Sequence, residues 1–194
     1  MKYILIISVV ITFVSCCSNP RVEIKTTKGD VICEIYEDRA PITACNFLKY
    51  VDEKRYDSAI FYRVVTLSNQ NNSPVKIEVI QGGLFVDETI EQLQPIQHEP
   101  TNVTGIKHLD GTISMARLEP GSASSEFFIC IGSQPELDYG GKRNADGKGF
   151  AAFGRVVHGI DVVKKIHVLE NTNQMLDAMV KIESIRRLNA EEVQ

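Results

Sequence analysis

The chain contains no tryptophan and no surplus of positive charge, and beyond its fourteenth residue it has no long apolar run. With 25 acidic side chains against 21 basic ones the net charge is −4, so no basic stripe is present to displace counterions from phosphate. "KKIH" and "IRR" are local clusters that read as a solvated helix end and a strand edge, and no nucleic-acid partner is expected. Also missing are a GxSxG elbow, a P-loop, an HExxH helix and a dinucleotide GxGxxG turn. Hydrolysis, phosphoryl transfer and hydride transfer therefore have no visible apparatus. The cysteines are never spaced as CxxC; Cys33, Cys45 and Cys130 sit in apolar or periodic segments, where buried free thiols are the commoner state. An exported protein is still permitted a disulfide. His98, His108, His158 and His167 are scattered without ligand spacing, so neither a metal nor a cofactor is expected.

What is present begins with a distinct leader. "MKYILIISVVITFVSCCSNP" passes from Lys2 through an apolar stretch, Tyr3 to Val14, to small residues and two cysteines. The stretch is too short to span a bilayer comfortably and too early for a core helix, so residues 1–15 read as an export signal. "FVSC" resembles a bacterial lipobox, with Cys16 as the residue to be lipidated, Cys17 as second choice, and Phe13 where leucine is usual. The expectation is a lipid anchor on the periplasmic side of a bacterial envelope, then a tether over 16–20, a folded domain over 21–187 and a tail over 188–194.

The remainder, 43% hydrophobic over the whole chain, suits one domain with one core. "RVEIKTTKGDVICEIY" alternates Val22, Ile24 and then Val31, Cys33, Ile35 about Lys28-Gly29-Asp30, which predicts a β-hairpin. After Pro41, the spacing of Ala44, Phe47, Leu48 and Val51 predicts an amphipathic helix. Strand signals recur at 59–65, 76–82, 111–115, 126–131, 150–157 and 179–185, and Gly159, Val162, Val163 and Ile166 predict a second helix. Eight mostly antiparallel strands joined by long loops favour a closed barrel, because closure removes exposed edges, with the two helices plugging its ends. The loops at 66–75, 84–110, 116–125 and 132–149 are rich in Gly, Ser, Asn, Asp and Pro.

One residue stands against this pattern. "IFYRVV" places Arg63 among five strand formers, and a guanidinium is almost never fully buried without a partner. The ordered fragments "FYRVV", "VIQGG", "GTISMARLEPGSASSEFFIC", "LDYGGK" and "FAAFGRVVHGIDVVKKI" resemble the cyclophilin-type peptidyl-prolyl cis-trans isomerases over residues 22–186. The resemblance implies a mainly β fold, a closed eight-stranded antiparallel barrel capped by two helices, with a peptide groove on one outer face. It implies proline-containing polypeptides of the envelope as clients, no cofactor, and a monomer.

Residue by residue, the resemblance implies Arg63 as the catalytic arginine and Gln81 as the glutamine that orients it and the substrate carbonyl. Phe128 and Leu137 match proline-pocket positions, Val79 stands where methionine is frequent, and Phe150 stands where many members carry histidine. Arg117 replaces an asparagine whose main chain binds peptide. Glu126 replaces a glutamine and either orients Arg63 through a charged pair or is a surface strand residue. Strand alternation puts Ile77, Val79 and Gln81 on one face and places Phe61 beside Arg63, so Phe61 joins the groove. Extra residues in "TLSNQNNSPVKI" shift Glu78 to a position usually held by phenylalanine, so that either Ile77 takes over that surface or the pocket is more polar than normal. With no tryptophan, Glu136 lies nearest to the family's tryptophan position. These departures keep open a second class, a proline-peptide binding or chaperone module with little turnover.

Overall fold

The computed structural model describes residues 19–193, so the expected export signal and the expected lipidation site, Cys16, lie outside the described residues. Strands β1 (Arg21–Thr26) and β2 (Gly29–Ile35) form the first hairpin, with Val22 opposite Cys33. The turn falls at Thr27-Lys28, earlier than the glycine suggests. Thr26 Oγ1 closes it, donating to the Gly29 carbonyl at 2.6 Å and accepting the Lys28 N–H at 3.0 Å.

Helix α1 (Pro41–Asp52) buries Ala44, Phe47, Leu48 and Val51, as its spacing predicts. Its first turn contains no acidic residue. The orphan first-turn N–H groups are met from afar: the buried Glu99 carboxylate accepts Ile42 N–H at 3.2 Å and Thr43 N–H at 2.7 Å. A carboxylate at a helix N-terminus satisfies orphan donors and complements the macrodipole together.

After β3 (Ile60–Val65) and β4 (Val79–Gly83), the stretch expected as irregular holds two short helices, α2 (Asp87–Glu91) and α3 (Thr101–Thr104). Then come β5 (Thr112–Met115), β6 (Phe127–Cys130), a 3₁₀ turn at Pro135–Leu137 and β7 (Ala151–His158). Helix α4 (Ile160–His167), the two-residue β8 (Asn171–Thr172) and the long β9 (Met175–Arg187) follow. The order β1-β2-β7-β5-β6-β4-β3-β9 closes through β1–β9 pairing, and every ladder is antiparallel. The eight expected strands thus make a closed barrel, with β8 an added edge on β9.

Phe47, Tyr56, Phe61, Phe127 and Phe153 pack in its interior with ring centroids 5.0–5.8 Å apart. A second, smaller apolar cluster comprises Val65, Ile77, Val79, Phe128, Cys130 and Leu137, with Phe150 and Ala116 against it. Cys33, Cys45 and Cys130 are free; Cys45 is exposed on α1 rather than buried, while burial pushes the Cys33 thiol up to about 12.

The alternation expected in β3 breaks. The register against both β4 and β9 shifts between Phe61 and Arg63, a bulge that adds one residue to the strand. Phe61 therefore turns inward, fully buried against Phe127, while Arg63 is half-buried on the outer cluster's side. Phe61 is a core residue and does not join the groove.

Candidate active site

Barrel register assembles the site. Arg63 on β3 pairs with Gln81 on β4, Gln81 with Phe128 on β6, and Phe128 with Ser114 on β5, so one row crosses four strands. Arg63 Nη1 donates to Gln81 Oε1 at 2.8 Å. From the other side, Gln174 Oε1 accepts Nε at 3.1 Å and Nη2 at 2.5 Å. Burial pulls the guanidinium pKa down, yet arginine stays charged.

Gln174 sits in the turn between β8 and β9 with φ 74, following Asn173 with φ 52. Its Nε2 donates to the Asn69 carbonyl at 3.0 Å, tying the turn to the 66–76 loop. Sequence reading missed it. The available signal was a short turn needing two left-handed residues where no glycine stands.

Beside Arg63 lies a cavity of about 270 Å³, walled by Ile77, Val79, Phe128, Leu137, Phe150, Arg117 and Arg143. Ile77 and Val79 line it with Gln81, and Glu78 does not; Ile77 is 6% exposed and supplies the apolar surface in its stead. Phe150 meets Phe128 edge-on at 5.3 Å. Beneath, the buried His108 stacks on Phe128 at 6.0 Å and 15°. Its Nδ1 contacts Asp138 Oδ1 at 2.8 Å and its Nε2 contacts Ser114 Oγ at 3.0 Å. That Ser–His–Asp string contains no accessible nucleophile, because Ser114 is 0% exposed; it holds Phe128 from behind.

Two side chains take partners of their own. Arg117 folds its buried side chain over Phe150, 5.1 Å from the ring centroid, and forms a bidentate pair with Asp146 at 2.8 and 2.9 Å. The arginine thus shapes the wall. Glu126 forms no pair with Arg63: its Oε1 accepts Leu84 N–H at 2.7 Å, Phe85 N–H at 3.4 Å and Ser125 O–H at 3.2 Å. The carboxylate packs against Gly83, where a Cβ would collide with it, and is connected to Arg63 only through Tyr62 and Gln81 among the described residues. Gln81 Nε2 donates to Tyr62 Oη at 2.7 Å. Burial, then the Glu126 charge, pushes the Tyr62 phenol well up. Glu126 Oε2 is buried with no hydrogen-bond partner among the described residues, and burial raises its pKa. The carboxylate also lines a neighbouring recess of about 180 Å³ that shares Gln81, Ala116, Arg117 and Leu118 with the cavity. Glu136 lies outside the wall; its carboxylate accepts the Lys142 N–H at 2.8 Å. Among the described residues, no three His, Cys, Asp or Glu side chains are grouped to hold a metal ion.

A closed barrel with an apolar hollow on its outer wall, and a fixed guanidinium at the rim, defines a barrel whose outer site offers charge and shape but no nucleophile among its lining residues. Residues 21–187 match the family model for cyclophilin-type peptidyl-prolyl cis-trans isomerases, and the chain belongs to that family. It is 37% identical over 152 residues to a peptidyl-prolyl cis-trans isomerase of Acinetobacter baylyi, covering 77% of this chain and 72% of the relative. With peptidyl-prolyl cis-trans isomerase B of Escherichia coli it shares 36% over 144 residues, 73% of this chain and 80% of the relative. Among solved structures, a cyclophilin-type isomerase of Cryptosporidium parvum superposes with TM-score 0.67 at 20% identity, covering 88% of this chain and 98% of the other. The chain is an isomerase of X–Pro peptide bonds.

Proposed function

We propose that the enzyme accelerates X–Pro rotation in exported or envelope polypeptides by binding the twisted imide with Arg63. Cis and trans are separated by roughly 20 kcal/mol because rotation destroys amide resonance. No bond breaks, so a catalyst needs only to hold the half-rotated form better than either planar one. As resonance is lost the prolyl nitrogen pyramidalises and regains a lone pair, which a fixed N–H donor meets without proton transfer. The ring, packed on Phe128 and Leu137 among Ile77, Val79 and Phe150, stays still while the preceding carbonyl turns.

The observation that carries this reading is the clamping of Arg63 between Gln81 and Gln174 at the rim of that apolar hollow. Water would otherwise screen the guanidinium and its own rotamers would blur it; two amides remove both freedoms. A protease-independent exchange measurement on an X–Pro peptide tests it. Acceleration is expected; saturable peptide binding with no acceleration would transfer the protein to the binding-module class.

The leader supports an address. Cys16, in "FVSC" and separated from Arg21 by four residues, tethers the barrel to the envelope through a lipid on the periplasmic side. Radiolabelled palmitate should enter the unaltered chain and not Cys16→Ser; equal labelling of both would discard the anchor.

A further inference from the structure

We propose that the groove selects an acidic side chain within one residue of the target proline, and that Arg143 is the specificity-determining residue that reads it. The proposal rests on the isomerase reading only in seating the proline on Phe128 and Leu137. The cavity wall carries three guanidinium groups, Arg63, Arg117 and Arg143, and no acidic side chain among the described residues. Asp146 neutralises Arg117 through the bidentate pair. Among the described residues the other two have no carboxylate partner. Arg63 is met only by the amide oxygens of Gln81 and Gln174.

Arg143 Nη1 donates to Gln70 Oε1 at 2.8 Å, Ser73 Oγ at 2.7 Å and the Val75 carbonyl at 2.6 Å, all neutral. These three acceptors fix the guanidinium where the 132–149 loop crosses the 66–76 loop. Its Nη2 and Nε make no hydrogen bond among the described residues. The nearby acids are committed elsewhere: Glu136 to the Lys142 N–H, and Asp138 to His108 and Lys107.

Two half-buried cations that face one cavity with no counterion among the described residues cost desolvation and repel each other. Burial, and then the charge of Arg63, pulls the Arg143 pKa down. An anion relieves both costs, and the free Nη2–Nε edge matches the two oxygens of a carboxylate. The same cavity is floored by Phe128 and Leu137, so a free inorganic anion would leave that surface wet. A peptide covers the floor with its proline and brings the carboxylate to the rim. Because Arg143 lines the same cavity of about 270 Å³ as the proline floor, the acidic residue is an immediate neighbour of the proline.

The test uses the full chain in detergent and capped peptides carrying Glu, Gln or Lys immediately before or after a single proline. Exchange rates give kcat/KM, and titration of each peptide runs in parallel. At one of the two flanks, Glu should exceed Gln about tenfold, ~1.4 kcal/mol, and Lys should fall below Gln. In Arg143→Gln the Glu-to-Gln ratio should approach one, and Arg143→Lys should restore part of it. The readout is a ratio, so a general loss of folding or catalysis divides out. Equal rates for Glu and Gln at both flanks, or a preference undiminished in Arg143→Gln, would overturn the proposal. Discriminating binding without acceleration would remove the isomerase mechanism and keep this one, whereas acceleration without discrimination would do the reverse.

Discussion

At the scale of single residues, the site is a problem of holding one flexible side chain still. Gln81 grips Arg63 from the neighbouring strand and Gln174 from a turn 111 residues away. Removing one grip in Gln174→Ala should lower kcat more than it raises KM, by about 3- to 30-fold, short of the ~100-fold that a 1 Å misplacement costs. Single-turnover kinetics separates the two parameters, and a pure KM effect would contradict the positioning role. Glu126 gives a second prediction at this scale. Burial raises its folded pKa, so the folded state binds the proton more tightly than the unfolded one, and stability is lost as pH rises from the unfolded pKa through the folded pKa. Glu126→Gln keeps an oxygen for Leu84 and Phe85 while discarding the charge. Its melting temperature should exceed the unaltered chain's at pH 7, and the gap should close below the ordinary carboxylate pKa of ~4.3. Arg63, Val79, Gln81 and Phe128 were legible because strand fragments carry them in a fixed order, and Leu137, in the 3₁₀ turn, because the fragment "LDYGGK" follows them in that order. Gln174 and Arg143 were not, because turns and long loops place them and no periodicity reports on loop path.

At the scale of elements, one bulge separates the core from the site. Simple alternation in "IFYRVV" puts Phe61 and Arg63 on one face; the extra residue in β3 sends one inward and the other outward. Sequence patterning cannot see a bulge, because the defect lies in the pairing and not in the residue types. Phe61→Ala should therefore cost ~3–5 kcal/mol of stability, as a cavity in an aromatic core does. Denaturant unfolding measures it, and an unchanged midpoint with weakened peptide binding would return Phe61 to the groove. Helix α1 was legible in its length and buried face, but not in its cap, which arrives from Glu99 57 residues on. Glu99→Ala leaves the buried Thr43 N–H and the partly buried Ile42 N–H without their acceptor and should cost ~1–3 kcal/mol, with Glu99→Gln recovering part of it. For a domain of this size, each kcal/mol appears as ~2–4 °C in melting temperature.

At the scale of the whole molecule, all eight barrel strands were readable from strand-forming runs and turn chemistry: β1 and β2 alternate between buried and exposed positions, β5 and β6 are buried along their whole length, and closure hides the edges. Closure itself, through β1–β9, joins segments near the two ends of the described chain and is invisible to local patterning. The rigid wall that results lets three adjacent strands present Arg63, Gln81 and Phe128 in one row. The account stands on that row turning a bound proline peptide into a half-rotated one. The most direct measurement is magnetisation-exchange NMR on an X–Pro peptide with the unaltered chain, Arg63→Ala and Arg63→Lys. Arg63→Ala should lose at least about tenfold in rate, ~1.4 kcal/mol, and Arg63→Lys should fail substantially as well, since a point charge lacks the planar fork. A folded Arg63→Ala protein that exchanges the peptide as fast as the unaltered chain would contradict the mechanism.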